Sequence, residues 1–212
     1  MSAGADARLV APATARNRAP LGAVLDAVLP AAGATRPVLF EVAAGSGEHA
    51  AFFAAQRPGW DWWPSDPSAE ARASIAAWTA GLPNVRPPLD FDAARDPFPP
   101  GPLDAVLCVN MAHIAPWAAT EGLVRGAAGA LRAGGPLVLY GPWVLPGVET
   151  APSNLAFDAD LRARDPRWGL RSLDALAGCA AAAGFGGPAV FPVPANNVVI
   201  VLRAGAQARS SR

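Results

Sequence analysis

The chain has 212 residues, a formal net charge of zero and an apolar fraction of 52%, which together favour one domain with a substantial core. It contains no basic cluster and no apolar run long enough to cross a membrane, so we expect neither nucleic-acid binding nor a membrane span. Every basic residue is an arginine. Without lysine, a phosphate loop ending in Gly-Lys-Ser/Thr and a Schiff base to pyridoxal phosphate are excluded.

The start of the chain and the two cysteines carry further expectations. Residues 1–12 lack the charged start and apolar stretch of a signal peptide, so a cytoplasmic protein is expected. Cys108 and Cys179 lie in apolar segments and do not form a disulfide framework. With only two histidines as well, no metal site is expected.

The first half of the chain alternates helical and extended patterns. Apolar residues at helical spacing predict a helix over residues 17–29, and a short apolar run predicts a strand over 38–43. The remaining predictions in this half are a helix over 47–55, a strand over 60–64, a helix capped by Ser65 or Ser68 and running to about 80, and a strand over 85–91 despite Pro87 and Pro88.

The second half continues the alternation and ends in two strands. We predict strands over 103–109 and 137–140, helices over 117–131, 154–164 and 172–183, and final strands over 189–193 and 198–203. The short connection between the last two favours an antiparallel pair, and the polar tail over 205–212 is expected to be disordered. The pattern predicts an α/β fold with a mostly parallel sheet covered by helices on both faces, whose ligands bind beyond the carboxyl ends of the strands.

The segment around Gly45 and Gly47 points to a nucleotide-like cofactor. It places a strand, a tight glycine turn and a helix N-terminus in sequence, and residues 45–50 fit G-x-G-x-x-G/A. Asp66 follows 21 residues after Gly45, where a carboxylate can accept the hydroxyls of a ribose. NAD enzymes and S-adenosylmethionine enzymes share these features.

Three observations favour S-adenosylmethionine over NAD. Glu41, inside the first strand, would be costly if left unpaired; it could anchor the turn or interact with the amino end of a methionine. The final strand pair is typical of class I methyltransferases. Finally, 212 residues leave little room for the separate substrate domain that most NAD enzymes carry.

A specific set of short segments runs along the chain, at 12–17, 41–49, 63–66, 110–114, 140–142, 153–154, 157–158, 164–169 and 194–197. Through these segments, residues 8–203 resemble a family of class I methyltransferases of unknown function whose animal member is methyltransferase-like protein 26. The resemblance implies a Rossmann-like fold, here with seven strands, S-adenosylmethionine as cofactor and S-adenosylhomocysteine as product. Ala44 and Val193 depart from the family pattern, which often has Ser and Met there.

The residues expected to contact the cofactor follow the ends of the strands or lie in the first helix. Three of these assignments have alternatives: Asp66 as a cap of the next helix, Asp90 in place of Asp92 at the adenine amino group, and Met111 as a core residue. The expected set is Asn17, Glu41, Ala43, Gly45, Gly47, Asp66, Asp92, Asn110 and Met111.

The expected catalytic groups are His113 and Tyr140. The imidazole could take a proton from the acceptor, or it could only shape the pocket, because positioning alone can drive methyl transfer. Tyr140 could orient a substrate or be a core aromatic. We expect the acceptor to meet Trp143, Asn154, Trp168 and Asn197.

These expectations combine into one methyltransferase domain over residues 1–204. Residues 8–30 would form a lid over the cofactor and 143–170 a lid over a small-molecule acceptor, in a monomer or homodimer. Two rival hypotheses remain, an NAD-dependent small-molecule oxidoreductase and a non-catalytic protein that binds S-adenosylmethionine and acts through a partner.

Overall fold

A computed structural model describes residues 7–32 and 35–205. The predicted alternation of helices and strands is confirmed except over residues 85–91, with bounds that differ by a few residues. The helices are α1 Pro12–Val28, α2 Glu48–Gln56, α3 Ala69–Trp78, α4 Trp117–Ala130, α5 Pro152–Arg164 and α6 Leu173–Ala182. The strands are β1 Val38–Val42, β2 Asp61–Pro64, β3 Ala105–Val109, β4 Pro136–Gly141, β5 Trp143–Val144, β6 Arg171–Ser172, β7 Ala189–Val193 and β8 Asn197–Arg203.

The main sheet has six strands in the order β2-β1-β3-β4-β8-β7. Strands β1 to β4 run parallel, and β8 pairs antiparallel with both β4 and β7, as the short final connection predicts. Strands β2 and β3 flank β1 on opposite sides, so the order of the chain reverses there. Ligands bind at such reversals in open α/β sheets.

The prediction of seven strands is wrong, because residues 85–91 form no strand. They make only single bridges to the outer strand, Val85 with Trp62 and Leu89 with Ser65. Pro87 and Pro88 lie between the bridges and have no N–H to donate, which prevents a continuous ladder.

Two apolar layers cover the faces of the sheet. On one face, Leu21 and Leu25 of α1 and Phe53 of α2 pack in a cluster with Trp62 and Tyr140. On the other face, residues of α4 and α6 pack against Phe40 and Val42. The predicted antiparallel pair at the end of the chain extends the same sheet, whereas β5 and β6 form a separate two-stranded ladder beyond β4.

Part of the predicted tail lies outside the described residues. Of residues 205–212, only Gly205 is described, and the predicted lid over 8–30 falls within the described chain.

Candidate active site

The glycine turn after β1 has a left-handed backbone at three positions. The φ angles are 55° at Ala43, 58° at Gly45 and 87° at Gly47. A Cβ atom at Gly47 would lie 2.6 Å from the Cα atom of Ile75, whereas one at Gly45 would meet nothing within 4 Å. Close packing on α3 therefore requires Gly47, while Gly45 presents its backbone to open space.

Asp66 connects this turn to the end of β2. Its Oδ2 accepts the backbone N–H of Gly45 at 3.0 Å, and its Oδ1 accepts that of Ser68 at 2.9 Å. The N-cap of α3 is Ser68, as one of the two sequence alternatives has it. The buried carboxylate therefore fixes the turn, and each oxygen keeps a lone pair that could accept a ligand hydroxyl.

Glu41 is 1% exposed and its Oε2 accepts a hydrogen bond of 2.6 Å from Nε1 of Trp62. Its Oε1 is buried without a partner among the described residues. Burial raises the pKa of the carboxyl from 4.5 to about 7, an effect that the Trp62 bond reduces. The side chain does not anchor the glycine turn, which leaves one oxygen for a donor from outside the chain.

Asn17 brings α1 together with α2 and β4. Its Oδ1 lies 2.7 Å from Nε2 of His49. Asn17 and Tyr140 also line one small cavity, where the Asn17 amide lowers the pKa of the phenol. Burial lowers the pKa of His49 to about 4, Glu48 opposes this effect, and Arg18 adds to it. Sequence patterns do not indicate this contact, because α1 and α2 meet only in the tertiary structure.

The remaining predicted cofactor residues lie at the ends of the neighbouring segments. Asn110 has a left-handed backbone (φ 63°) and begins the 3-10 turn Met111–His113, and Met111 is buried. The Asp92 carboxylate is engaged within its own loop, with Oδ1 accepting from the N–H of Ala94 and Oδ2 pairing with Arg95, both at 2.9 Å. Its role toward adenine stays a prediction.

His113 is packed beneath the end of β4. The ring is 1% exposed and meets Trp143 edge to face, with 5.4 Å between ring centroids. A Cβ atom at Gly141 would lie 2.2 Å from its Nε2. Burial lowers the pKa of the imidazole to about 3, and the charge of Arg171 adds to that effect. An enclosed ring that is so weakly basic favours the pocket-shaping alternative over the general base.

Arg171 holds the peptides around His113, a role that sequence reasoning missed. Its guanidinium donates to the carbonyl oxygens of Ala112 at 2.8 Å and of Ala115 and Arg167 at 2.7 Å. The backbone of Gly169 also donates to the carbonyl of His113 at 2.9 Å. The segment after α5 is thereby fixed to the 3-10 turn.

Three of the four predicted acceptor residues line one cavity of about 490 Å³, namely Trp143, Asn154 and Asn197. The side chain of Asn154 donates to the carbonyl of Asn196 at 2.9 Å, so α5 and the β7–β8 turn close one side of it. Trp168 lies elsewhere, with the guanidinium of Arg164 5.2 Å from its ring centroid. The structure thus brings three of these residues together and leaves the fourth apart.

A family model described as "Protein of unknown function (DUF938)" matches residues 8–204. The chain belongs to the DUF938 family.

Solved methyltransferase structures resemble this DUF938 chain at low sequence identity. Human N-acetylserotonin methyltransferase in complex with SAM gives a TM-score of 0.75 at 14% identity over 92% of this chain and 53% of that one. An O-methyltransferase family protein from Burkholderia thailandensis gives a TM-score of 0.72 at 18% identity, and the match covers 92% of this chain and 58% of that one. An O-methyltransferase family 2 protein from Planctomyces limnophilus, in complex with apigenin, gives a TM-score of 0.68 at 23% identity. That match covers 89% of this chain and 61% of the other.

These likenesses show that the DUF938 chain has an α/β methyltransferase fold with a mixed sheet. It spans little more than half the length of the structures that it matches. No helix within residues 7–32 and 35–205 is both long and apolar enough to cross a bilayer. The same residues offer no group of three or more His, Cys, Asp or Glu side chains suited to a metal ion.

Proposed function

We propose that this chain transfers the methyl group of S-adenosylmethionine to a small-molecule acceptor. The observation that carries the proposal is the group at the carboxyl ends of β1 and β2. There, an open glycine turn, a buried carboxylate with an unpartnered oxygen and a second carboxylate lie together at Gly45, Glu41 and Asp66. This set fits a ligand that has a nucleoside at one end and an ammonium at the other.

The chain's own residues divide the work of binding such a cofactor. Asp66 would accept from the ribose, Glu41 would accept from the ammonium, and the backbone at Gly45 would allow close approach. Bound S-adenosylmethionine supplies an electrophilic methyl group for in-line displacement. Since positioning and exclusion of water suffice for this chemistry, the buried His113 need not ionise.

The acceptor region of the proposal is the cavity lined by Trp143, Asn154 and Asn197. We place residues 143–170 over it as a lid and residues 8–30 over the cofactor, in one domain over 1–204. Kinship with methyltransferase-like protein 26 within the DUF938 family belongs to the same proposal, supported by the sequence segments that carry the resemblance. The proposal also includes cofactor contacts by Asp92, Asn110 and Met111 and an acceptor contact by Trp168.

The two rival functions make different demands on the site. An NAD-dependent oxidoreductase must bind both nucleotide halves of NAD, and the open space at Gly45 does not exclude that ligand. A non-catalytic cofactor-binding protein requires no acceptor cavity, so the 490 Å³ cavity favours catalysis.

Calorimetry with S-adenosylhomocysteine and, separately, with NAD tests the cofactor. Incubation with S-adenosylmethionine carrying a labelled methyl group, together with a panel of small metabolites, then tests transfer. Micromolar binding of S-adenosylhomocysteine without labelling of any metabolite would favour the non-catalytic rival.

A further inference from the structure

A small cavity of about 180 Å³ lies between α1 and the β7–β8 turn. Arg16, Asn17, Tyr140 and Asn197 line it, and Arg16 is the one charged side chain among its described lining residues. None of the described residues forms a hydrogen bond or salt bridge with the Arg16 side chain. The volume is below that of a pocket for a whole ligand, so it suits a single end group.

Asn17 and His49 bear on the direction in which the Tyr140 hydroxyl donates. The low pKa of His49, about 4, keeps its ring neutral near pH 7. The amide oxygen of Asn17, 2.7 Å away, can only accept, so Nε2 of His49 carries the proton and donates it. This leaves the amide nitrogen of Asn17 as a donor to the phenol oxygen.

Asn17 also acts on the acidity of Tyr140. Its hydrogen bond lowers the pKa of the phenol, as a donor to the phenolate oxygen does. Burial is the larger influence and raises that pKa, so the phenol keeps its proton at neutral pH. With its oxygen engaged by Asn17, Tyr140 has its O–H free to donate into the cavity.

Two different hydrogen-bond donors, the Arg16 guanidinium and the Tyr140 hydroxyl, therefore line the same small cavity. A guanidinium fork matches a carboxylate best, because it can bind both oxygens. We propose that Arg16 and Tyr140 form a carboxylate subsite, in which Asn17 and His49 are positioning residues for the Tyr140 hydroxyl. Tyr140 is then a hydrogen-bond donor to the ligand.

The carboxylate has two possible sources, and this part of the inference rests on the proposed function. The small cavity shares Val193, Pro194, Ala195 and Asn197 with the 490 Å³ cavity, which places it next to the proposed acceptor site. Tyr140 also packs in the same apolar layer as Trp62, the partner of Glu41. That face would receive the amino-acid end of the methyl donor.

Calorimetry with two adenosine ligands separates these sources. S-Adenosylhomocysteine carries an amino-acid carboxylate, whereas 5′-methylthioadenosine has none. If the carboxylate is the cofactor's, Arg16→Gln and Tyr140→Phe should each weaken binding of S-adenosylhomocysteine by about tenfold or more, the size of a lost charge-assisted bond, and leave 5′-methylthioadenosine unchanged. Arg18→Gln is the matched control, because Arg18 stacks on Phe52 and does not line this cavity.

Benzoate is the probe for the acceptor source. If the carboxylate is the acceptor's, both variants should bind the two adenosine ligands like the wild type but lose binding of benzoate to the protein saturated with S-adenosylhomocysteine. Variants that bind all three probes like the wild type would overturn the subsite. If the wild type binds neither adenosine ligand, the proposed function fails. Benzoate binding to the protein alone, compared between the wild type and the two variants, still tests the subsite.

The positioning role of Asn17 has its own readout, because Tyr140 is the only tyrosine in the chain. Ultraviolet titration of the phenol should show a higher pKa in Asn17→Leu than in the wild type, with binding of the carboxylate-bearing probe weakened in parallel. A phenol pKa that does not change would overturn the relay even if the variant were less stable.

Discussion

The backbone N–H of Gly45 donates to Oδ2 of Asp66 across 3.0 Å, which joins the turn after β1 to the end of β2. The same carboxylate accepts from the N–H of Ser68 at the start of α3. One side chain thus fixes the glycine turn and the following helix. A ribose bound there would meet a carboxylate already held in place, at no further cost in side-chain entropy.

Replacing Asp66 with alanine should weaken binding of S-adenosylhomocysteine by about 1–3 kcal/mol, because the ribose and the Gly45 amide both lose an acceptor. Calorimetry measures the affinity, and urea unfolding gives the accompanying loss of stability. Asp61→Ala, which removes a partly exposed ion pair with Arg36, serves as the control and should leave the affinity intact. Equal affinity in the Asp66 variant and the wild type would refute the ribose role.

The two turn glycines should respond differently to alanine. Gly47→Ala places a Cβ atom 2.6 Å from the Ile75 backbone and should cost stability of about 1–3 kcal/mol through overpacking, in addition to the left-handed strain. Gly45→Ala carries only that strain, about 1–2 kcal/mol, but its methyl group enters the space proposed for the cofactor. Urea unfolding and calorimetry should show Gly47→Ala as the less stable variant and Gly45→Ala as the folded variant with weaker binding. Unimpaired binding by a folded Gly45→Ala would place the cofactor elsewhere.

Glu41 should make cofactor affinity depend on pH. The pKa of Glu41 in the folded protein is about 7, above its ordinary 4.5. The folding stability that comes from protonation of Glu41 is therefore fully present below pH 4.5 and is lost as the pH rises through 7. A ligand ammonium favours the ionised carboxylate, so S-adenosylhomocysteine should bind more tightly at pH 8 than at pH 6.

The matched variant for that measurement is Glu41→Gln, which mimics the protonated acid. It should bind more weakly than the wild type at pH 8 and show little change between pH 6 and pH 8. A wild-type affinity that does not vary over this range would argue against contact between Glu41 and the ammonium.

Neither histidine should titrate near neutral pH. Burial lowers the pKa of His113 to about 3 and that of His49 to about 4, so both rings should stay neutral from pH 5.5 to 8. Nuclear magnetic resonance of the ring protons can follow both, since the chain has only two histidines, and His49→Gln assigns the signals. An inflection of the His113 signal between pH 6 and 7 would restore it as a candidate general base.

The sequence predicts the local features of the site well. The glycine turn, the strand ends and a serine cap for α3 follow from short-range patterns, and the structure places Ser68 as that N-cap. Residues 85–91 do not form the predicted strand, because Pro87 and Pro88 remove two ladder donors.

What the sequence could not supply are contacts between distant segments. The Trp62 bond to Glu41 spans 21 positions and the His49 contact with Asn17 spans 32. No spacing rule predicts either, since both depend on how β1, β2, α1 and α2 pack. Burial, which sets the pKa values of Glu41 and His113, likewise exists only in the folded chain.

The most direct test of the central claim compares two cofactors on the unmodified protein. Calorimetry at pH 8 should show micromolar binding of S-adenosylhomocysteine with one ligand per chain, and no binding of NAD in the same range. Binding of NAD without binding of S-adenosylhomocysteine would contradict the account.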